Sequence, residues 1–149
     1  MRWIASFLPM EAFEIYAVYD GINSLEYILE LDAYSYYMMN VIDYLVGNID
    51  RHWGTWGILV DNRTNLPVRL HDLIDFNKAF ERYDTIDGEN CLTTAGRNLT
   101  QREDAVGAVR RNGLNQIQDI DEGWFEDRSV KEMFFDRLEI LKREAVESR

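Results

Sequence analysis

The sequence predicts a mainly helical domain of the α+β class that carries one small β-hairpin. Three observations predict it. An apolar run from Ala33 to Val46 covers more than one helical face. Two start signals, Thr100-Gln101-Arg102-Glu103 and Ser129-Val130-Lys131-Glu132, each open an amphipathic segment. Ahead of both, Trp56 to Val60 and Leu66 to Leu70 flank the turn formers Asp61-Asn62-Arg63-Thr64-Asn65, which is the pattern of a hairpin.

The elements follow in chain order. Residues 9–19 read as a short helix, with Pro9 suited to its first turn and Gly21 just past its end. The next helix runs from Ala33 to Val46, with Asp32 as N-cap and Gly47 as its stop. Its residues Tyr34, Tyr37, Met38, Val41, Ile42, Tyr44 and Leu45 cover more than one face, so it is expected to be deeply buried. Residues 81–99 read as loop. A helix follows from Thr100 to about Arg111, with Gly113 as its stop. The acidic stretch 118–126 reads as an exposed loop. The last helix is expected from Ser129 to about Glu147, with a core stripe of Val130, Met133, Phe134, Leu138, Leu141 and Ala145.

Composition narrows the function classes. A chain of 149 residues suits one domain, here 1–149, and no repeat or Pro/Gly/Ser linker divides it. With 46% hydrophobic and 13% aromatic residues it can bury a core despite a net charge of −11. That charge is spread along the chain and repels phosphate backbones and anionic lipid, which argues against bulk nucleic-acid or membrane binding. No apolar run approaches the ~18 residues of a membrane span. Cys91 is the single cysteine, so no intrachain disulfide forms and a reducing, cytoplasmic setting is expected.

Chemistry concentrates between Asn48 and Asn77. A buried helix leads straight into Asp50-Arg51-His52, and Asp75 lies in the otherwise apolar stretch Leu73-Ile74-Asp75-Phe76. The hairpin between them folds its two ends together, so Asp50 and Asp75 are expected to converge. Two converging carboxylates are what Mg²⁺ sites use beside substrate phosphates. The same residue types also allow a plainer reading, in which Asp50 and Arg51 cap a helix and form an ion pair. His52 and His71 with Asp50, Asp72 or Asp75 are the ingredients of a two-His-plus-carboxylate metal site, although no His-x-x-x-His spacing supports one. Trp53 and Trp56 flank the loop as core or lid residues, or as surfaces on which a base stacks.

The segment GNIDRHWGTWGILVDN followed by LHDLIDFNKAF resembles the catalytic loop, hairpin and metal loop of the HipA-like kinases. More distantly it resembles the corresponding loops of the phosphatidylinositol 3- and 4-kinases. The resemblance covers residues 32–80 and extends loosely over the helices after Thr100. It implies the C-terminal lobe of a kinase. Asp50 would be the catalytic aspartate, His52 would support the loop's shape, and Arg51 would be the loop arginine. Asp75 would be the metal ligand of an Asp-Phe-Gly motif, written here as Asp75-Phe76-Asn77. Asp72 rivals it but lacks the following Phe.

Two departures qualify the match. Thr55 stands where the family has an Asn that ligates metal, leaving Thr55 and Asp75 as the implied metal and nucleotide ligands. Residues 1–49 hold no lysine and only two glycines, Gly21 and Gly47, so the phosphate-pairing Lys and the Gly-rich loop are missing. With Mg²⁺ and ATP as implied cofactors and the N-terminal lobe absent, the chain is expected to be inactive alone, as a binding or regulatory module. The alternative is the catalytic half of an Mg²⁺/ATP-dependent Ser/Thr protein kinase completed by a partner. An absent lobe would leave an apolar face, so a protein partner or self-association is expected, with Trp3, Ile4, Phe7 and Leu8 as candidates for that face.

Overall fold

A computed structural model describes residues 2–5, 13–16, 21–51, 55, 57–81, 85–88, 99–114, 117 and 120–146. The fold is mainly helical, as expected. Its elements are β1 (Arg2–Ala5), β2 (Phe13–Tyr16), α1 (Gly21–Val46), β3 (Ile58–Asp61), β4 (Leu66–Leu70), α2 (Gln101–Asn112) and α3 (Arg128–Val146). A 3-10 turn, Glu122–Trp124, precedes α3.

The expected hairpin is present as β3 and β4, and two further strands extend it. All four form one antiparallel sheet in the order β1-β2-β3-β4. β2 pairs with β3 in the register Ile15↔Leu59, and β3 with β4 in the register Leu59↔Arg69. A register shift falls between Leu59 and Val60, opposite Pro67. Proline has no N–H to give a ladder and is tolerated at a sheet edge or bulge, which is where Pro67 lies. Asn65, with φ 56°, supplies the left-handed residue of the turn, and Asp61 accepts from the Arg63 N–H at 2.8 Å. That backbone bond holds the Asp61 carboxyl below the usual carboxylate range.

The helix expected over 9–19 is not formed at residues 13–16, which are strand β2. Phe13-Glu14-Ile15-Tyr16 finds its backbone partners in β1 on one side and β3 on the other, and those ladders outweigh the local helix signals. Residues 9–12 and 17–19 lie outside the described residues. Gly21 opens α1 instead of following a helix. Of the proposed apolar face, Trp3 and Ile4 fall on the backbone of β1, while Phe7 and Leu8 lie outside the described residues.

α1 is longer than expected because it begins at Gly21, yet Asp32 still marks a boundary. Its backbone there is not helical (φ −156°, ψ 64°). Its Oδ1 accepts from the Ser35 N–H at 3.2 Å, which is the N-cap expected for the helix over 33–46. Its Oδ2 accepts from the Leu70 N–H at 3.0 Å and so ties the end of β4 to the bend.

α1 serves two cores, which explains why its apolar residues cover more than one face. Ile28, Tyr36 and Met39 pack against Ile58, Val60 and Leu70 of the sheet. Val41, Tyr44 and Leu45 pack against Ala105, Val106, Ala108 and Val109 of α2 and Phe134, Leu138, Leu141 and Ala145 of α3. The start of α2 carries the expected capping box, with both Thr100–Glu103 bonds made. The start of α3 differs from expectation. Asp127, not Ser129, caps it, its Oδ1 accepting from the Ser129 and Val130 N–H groups at 2.7 and 3.2 Å. An ionised carboxylate two residues earlier is the stronger acceptor at a helix N-terminus. Among the described residues no helix is long and apolar enough to cross a membrane.

Candidate functional site

The site grows from the C-terminus of α1. Gly47 takes the left-handed conformation (φ 62°) that ends the helix. The Gly47 N–H donates to the Tyr44 carbonyl at 3.2 Å and the Asn48 N–H to the Asp43 carbonyl at 2.8 Å. These two bonds are the paired pattern of a glycine-terminated helix, and they aim the chain outward at Asn48.

Asp43 sits one turn back on α1, buried among apolar neighbours. A lone carboxylate there is expensive unless paired. Arg51 pairs it in bidentate fashion, Nε to Oδ2 at 2.7 Å and one Nη to Oδ1 at 2.9 Å. The other Nη donates to two backbone carbonyls, Thr55 and Ile74, each at 2.8 Å. The guanidinium also lies 5.1 Å from the centre of the Phe76 ring. The Arg51 side chain is 0% exposed and that of Asp43 4%. Arg51 therefore joins α1, Thr55 and the segment around residue 75 at one buried point.

Asn48 adds a second tie. Its side-chain amide donates to Asp43 Oδ1 at 3.0 Å, and its Oδ1 accepts from the Asp50 N–H at 3.4 Å. The Asn48 carbonyl accepts from Gln101 Nε2 at 2.8 Å. On the far side, the Phe80 N–H donates to the Val46 carbonyl at 2.8 Å, so the turn after residue 75 also hangs from the end of α1.

Asp50 follows Asn48 in this loop and is half-buried. Asp75 is exposed and has φ 60°, an uncommon conformation for a non-glycine residue. The Arg51–Ile74 bond links the residue after Asp50 to the residue before Asp75. Among the described residues neither the Asp50 nor the Asp75 carboxylate is taken up by an ion pair or hydrogen bond. The plainer sequence reading paired Asp50 with Arg51, whereas the ion-pair partner of Arg51 is Asp43.

The remaining candidates separate. Thr55 is buried (1% exposed), and its carbonyl is one of the Arg51 acceptors. Asp72 is exposed and paired with Arg69 at 2.7 Å, which removes it as a rival to Asp75. His71 Nδ1 lies 2.6 Å from the Asp72 carbonyl. His52, Trp53, Trp56 and Cys91 lie outside the described residues. Among the described residues no three His, Cys, Asp or Glu side chains converge as a metal cluster. A cation taken by Asp75 would find its other oxygens in water and phosphate, which is the usual Mg²⁺ arrangement. What the geometry gives is a tie between the two segments, through the Arg51 bonds to the Thr55 and Ile74 carbonyls.

Asp43, Asn48 and Gln101 are site residues that sequence reasoning missed. One signal was available: Asp43 is the lone acid in the apolar run Val41-Ile42-Asp43-Tyr44-Leu45. Beside the site, Tyr44 is fully buried, its hydroxyl donates to the Ile86 carbonyl at 2.7 Å, and burial pushes its pKa up to about 12.

Comparison of the chain with protein-family models, curated proteins and solved structures finds no match.

Proposed function

We propose that this chain is a kinase-like C-terminal lobe that holds a metal-bound phosphate and works as a binding or regulatory module. The observation that carries the reading is the buried Arg51 clamp, which connects the loop bearing Asp50 to the segment bearing Asp75. In this reading Asp75 is the carboxylate that takes Mg²⁺, and Asp50 faces the phosphate or the hydroxyl that would attack it. The resemblance to HipA-like kinases over residues 32–80 supports the same roles.

Thr55 favours binding over phosphoryl transfer. It stands where an Asn would present an amide oxygen to a second metal, and it is buried with its carbonyl already used by Arg51. The 149 residues also hold no lysine before Lys78, so a phosphate-pairing lysine ahead of the loop would come from another segment or another protein. The second reading, the catalytic half of an Mg²⁺/ATP-dependent Ser/Thr kinase completed by such a partner, is favoured by the Asp50 and Asp75 carboxylates, neither of which is paired among the described residues.

Thermal denaturation across an ATP titration, with and without Mg²⁺, tests the shared core of both readings. At a hundredfold excess over Kd, binding adds about 2.7 kcal/mol to the folded state. For a chain of this size that raises Tm by roughly 5–10 °C. The rise is expected with Mg²⁺, absent without it, and lost in Asp75→Asn. A wild-type chain unmoved by millimolar Mg²⁺·ATP would contradict both readings.

A further inference from the structure

Gln101 opens α2, yet its side chain belongs to the loop that starts 53 residues earlier. It is 4% exposed, and its Nε2 donates to the Asn48 carbonyl at 2.8 Å. Its Oε1 is buried and has no hydrogen-bond partner among the described residues. A buried carbonyl left unpaired is unfavourable, so the amide is held in this pose by something stronger than its own preference. The Asn48 carbonyl, which accepts only from the Nε2 side, sets the orientation, and Gly88 closes the space on the other side. A Cβ added to Gly88 would lie 2.3 Å from Gln101 Oε1 and 2.9 Å from Gln101 Cβ. Gly88, at φ 70°, thus lays bare backbone directly on the amide.

The segment 85–88 that carries Gly88 is pinned on several sides. The Tyr44 hydroxyl donates to Ile86 O at 2.7 Å, Arg137 to Thr85 O at 2.8 Å, and the Arg102 N–H to Asp87 O at 3.1 Å. Asn48, at the other end of the Gln101 bond, spans Asp43 and the Asp50 N–H. A continuous path runs from the pinned roof at 85–88, through Gln101 and Asn48, to the backbone of Asp50.

We infer that Gln101, pressed in place by Gly88, is a positioning residue for Asp50. The role rests on the reading of Asp50 as a phosphate-facing residue, but the mechanical link is testable without any ligand. The chain itself is compared by hydrogen exchange as wild type, Gln101→Met and Gly88→Ala. Met keeps the volume and removes the donor. Ala keeps the donor and displaces it. In both variants the amides of residues 48–51 are expected to exchange about tenfold faster, measured against those in the cores of α1 and α3. A merely structural loss would speed exchange throughout the molecule in proportion to stability.

The same variants are titrated with Mg²⁺·ATP, and a roughly tenfold weaker affinity is expected in each. Exchange that is unchanged, or changed uniformly, overturns the positioning role. A loosened loop with full ATP affinity overturns the link between Gln101 and the work of Asp50. A loosened loop in both variants, beside a wild-type chain that binds no Mg²⁺·ATP, leaves the mechanical coupling standing and overturns the phosphate reading instead.

Discussion

Arg51 carries its charge with none of its side chain exposed, and its contacts explain how. Two N–H groups meet the Asp43 carboxylate and two more meet carbonyls, so one guanidinium satisfies groups on three segments. A lysine has a single ammonium point charge and cannot reproduce that fork. Removing one member of a buried pair leaves the other charge stranded and costs about 3–5 kcal/mol, whereas replacing both with apolar groups is often near neutral. Arg51→Met and Asp43→Leu are therefore each expected to lower unfolding stability by about 3–5 kcal/mol. The double variant is expected to lose less than either single one. Urea denaturation of the four proteins measures this, and additive losses would mean that the pair is not coupled. The double variant still lacks the donors to Thr55 and Ile74, so recovered stability should come without recovered Mg²⁺·ATP binding.

Among the elements, α1 decides the architecture, because its bend at Asp32 lets one helix address both the sheet and the helical layer. The Asp32 carboxylate caps the second half of the helix and also satisfies the Leu70 N–H. Asp32→Ala removes a cap, typically about 1 kcal/mol, and orphans a partly buried donor at a further cost of about 1–3 kcal/mol. A total loss of about 2–4 kcal/mol in chemical denaturation is expected from those two terms. A loss under about 0.5 kcal/mol, the range of ordinary surface changes, would show that neither bond matters. The cap at Asp32, the stop at Gly47, the hairpin and the Thr100 capping box were all legible in the sequence, because each depends on residues within a few positions of one another. Strand β2 was not legible, because it is held between β1 and β3, and the β3 ladder, more than forty positions further on, is a contact no local pattern names. The cap of α3 was misplaced by two residues because Ser129 offers a plausible signal beside the stronger acceptor Asp127.

For the molecule as a whole, two loops from opposite ends of a hairpin are hung from the end of one buried helix. Asp50 and Asp75 stood out in the sequence as acids beside apolar segments. The residues that hold them did not, since Arg51–Asp43, Asn48–Gln101 and Phe80–Val46 are contacts whose partners no local pattern names. Spread acidity adds a condition to the proposed role. A chain with net charge −11 repels free nucleotide, so binding should depend on the cation that accompanies the phosphate.

The central claim is that a single phosphate-bound cation, taken by Asp75, lies close to both acidic segments. Paramagnetic broadening by Mn²⁺, used in place of Mg²⁺ with ATP present, tests it most directly through the backbone amide resonances. The account predicts the deepest intensity losses together at residues 49–51 and 74–76, and their disappearance in Asp75→Asn. Broadening confined to one of the two segments, or centred on another acidic surface such as the Asp61 turn, would contradict it.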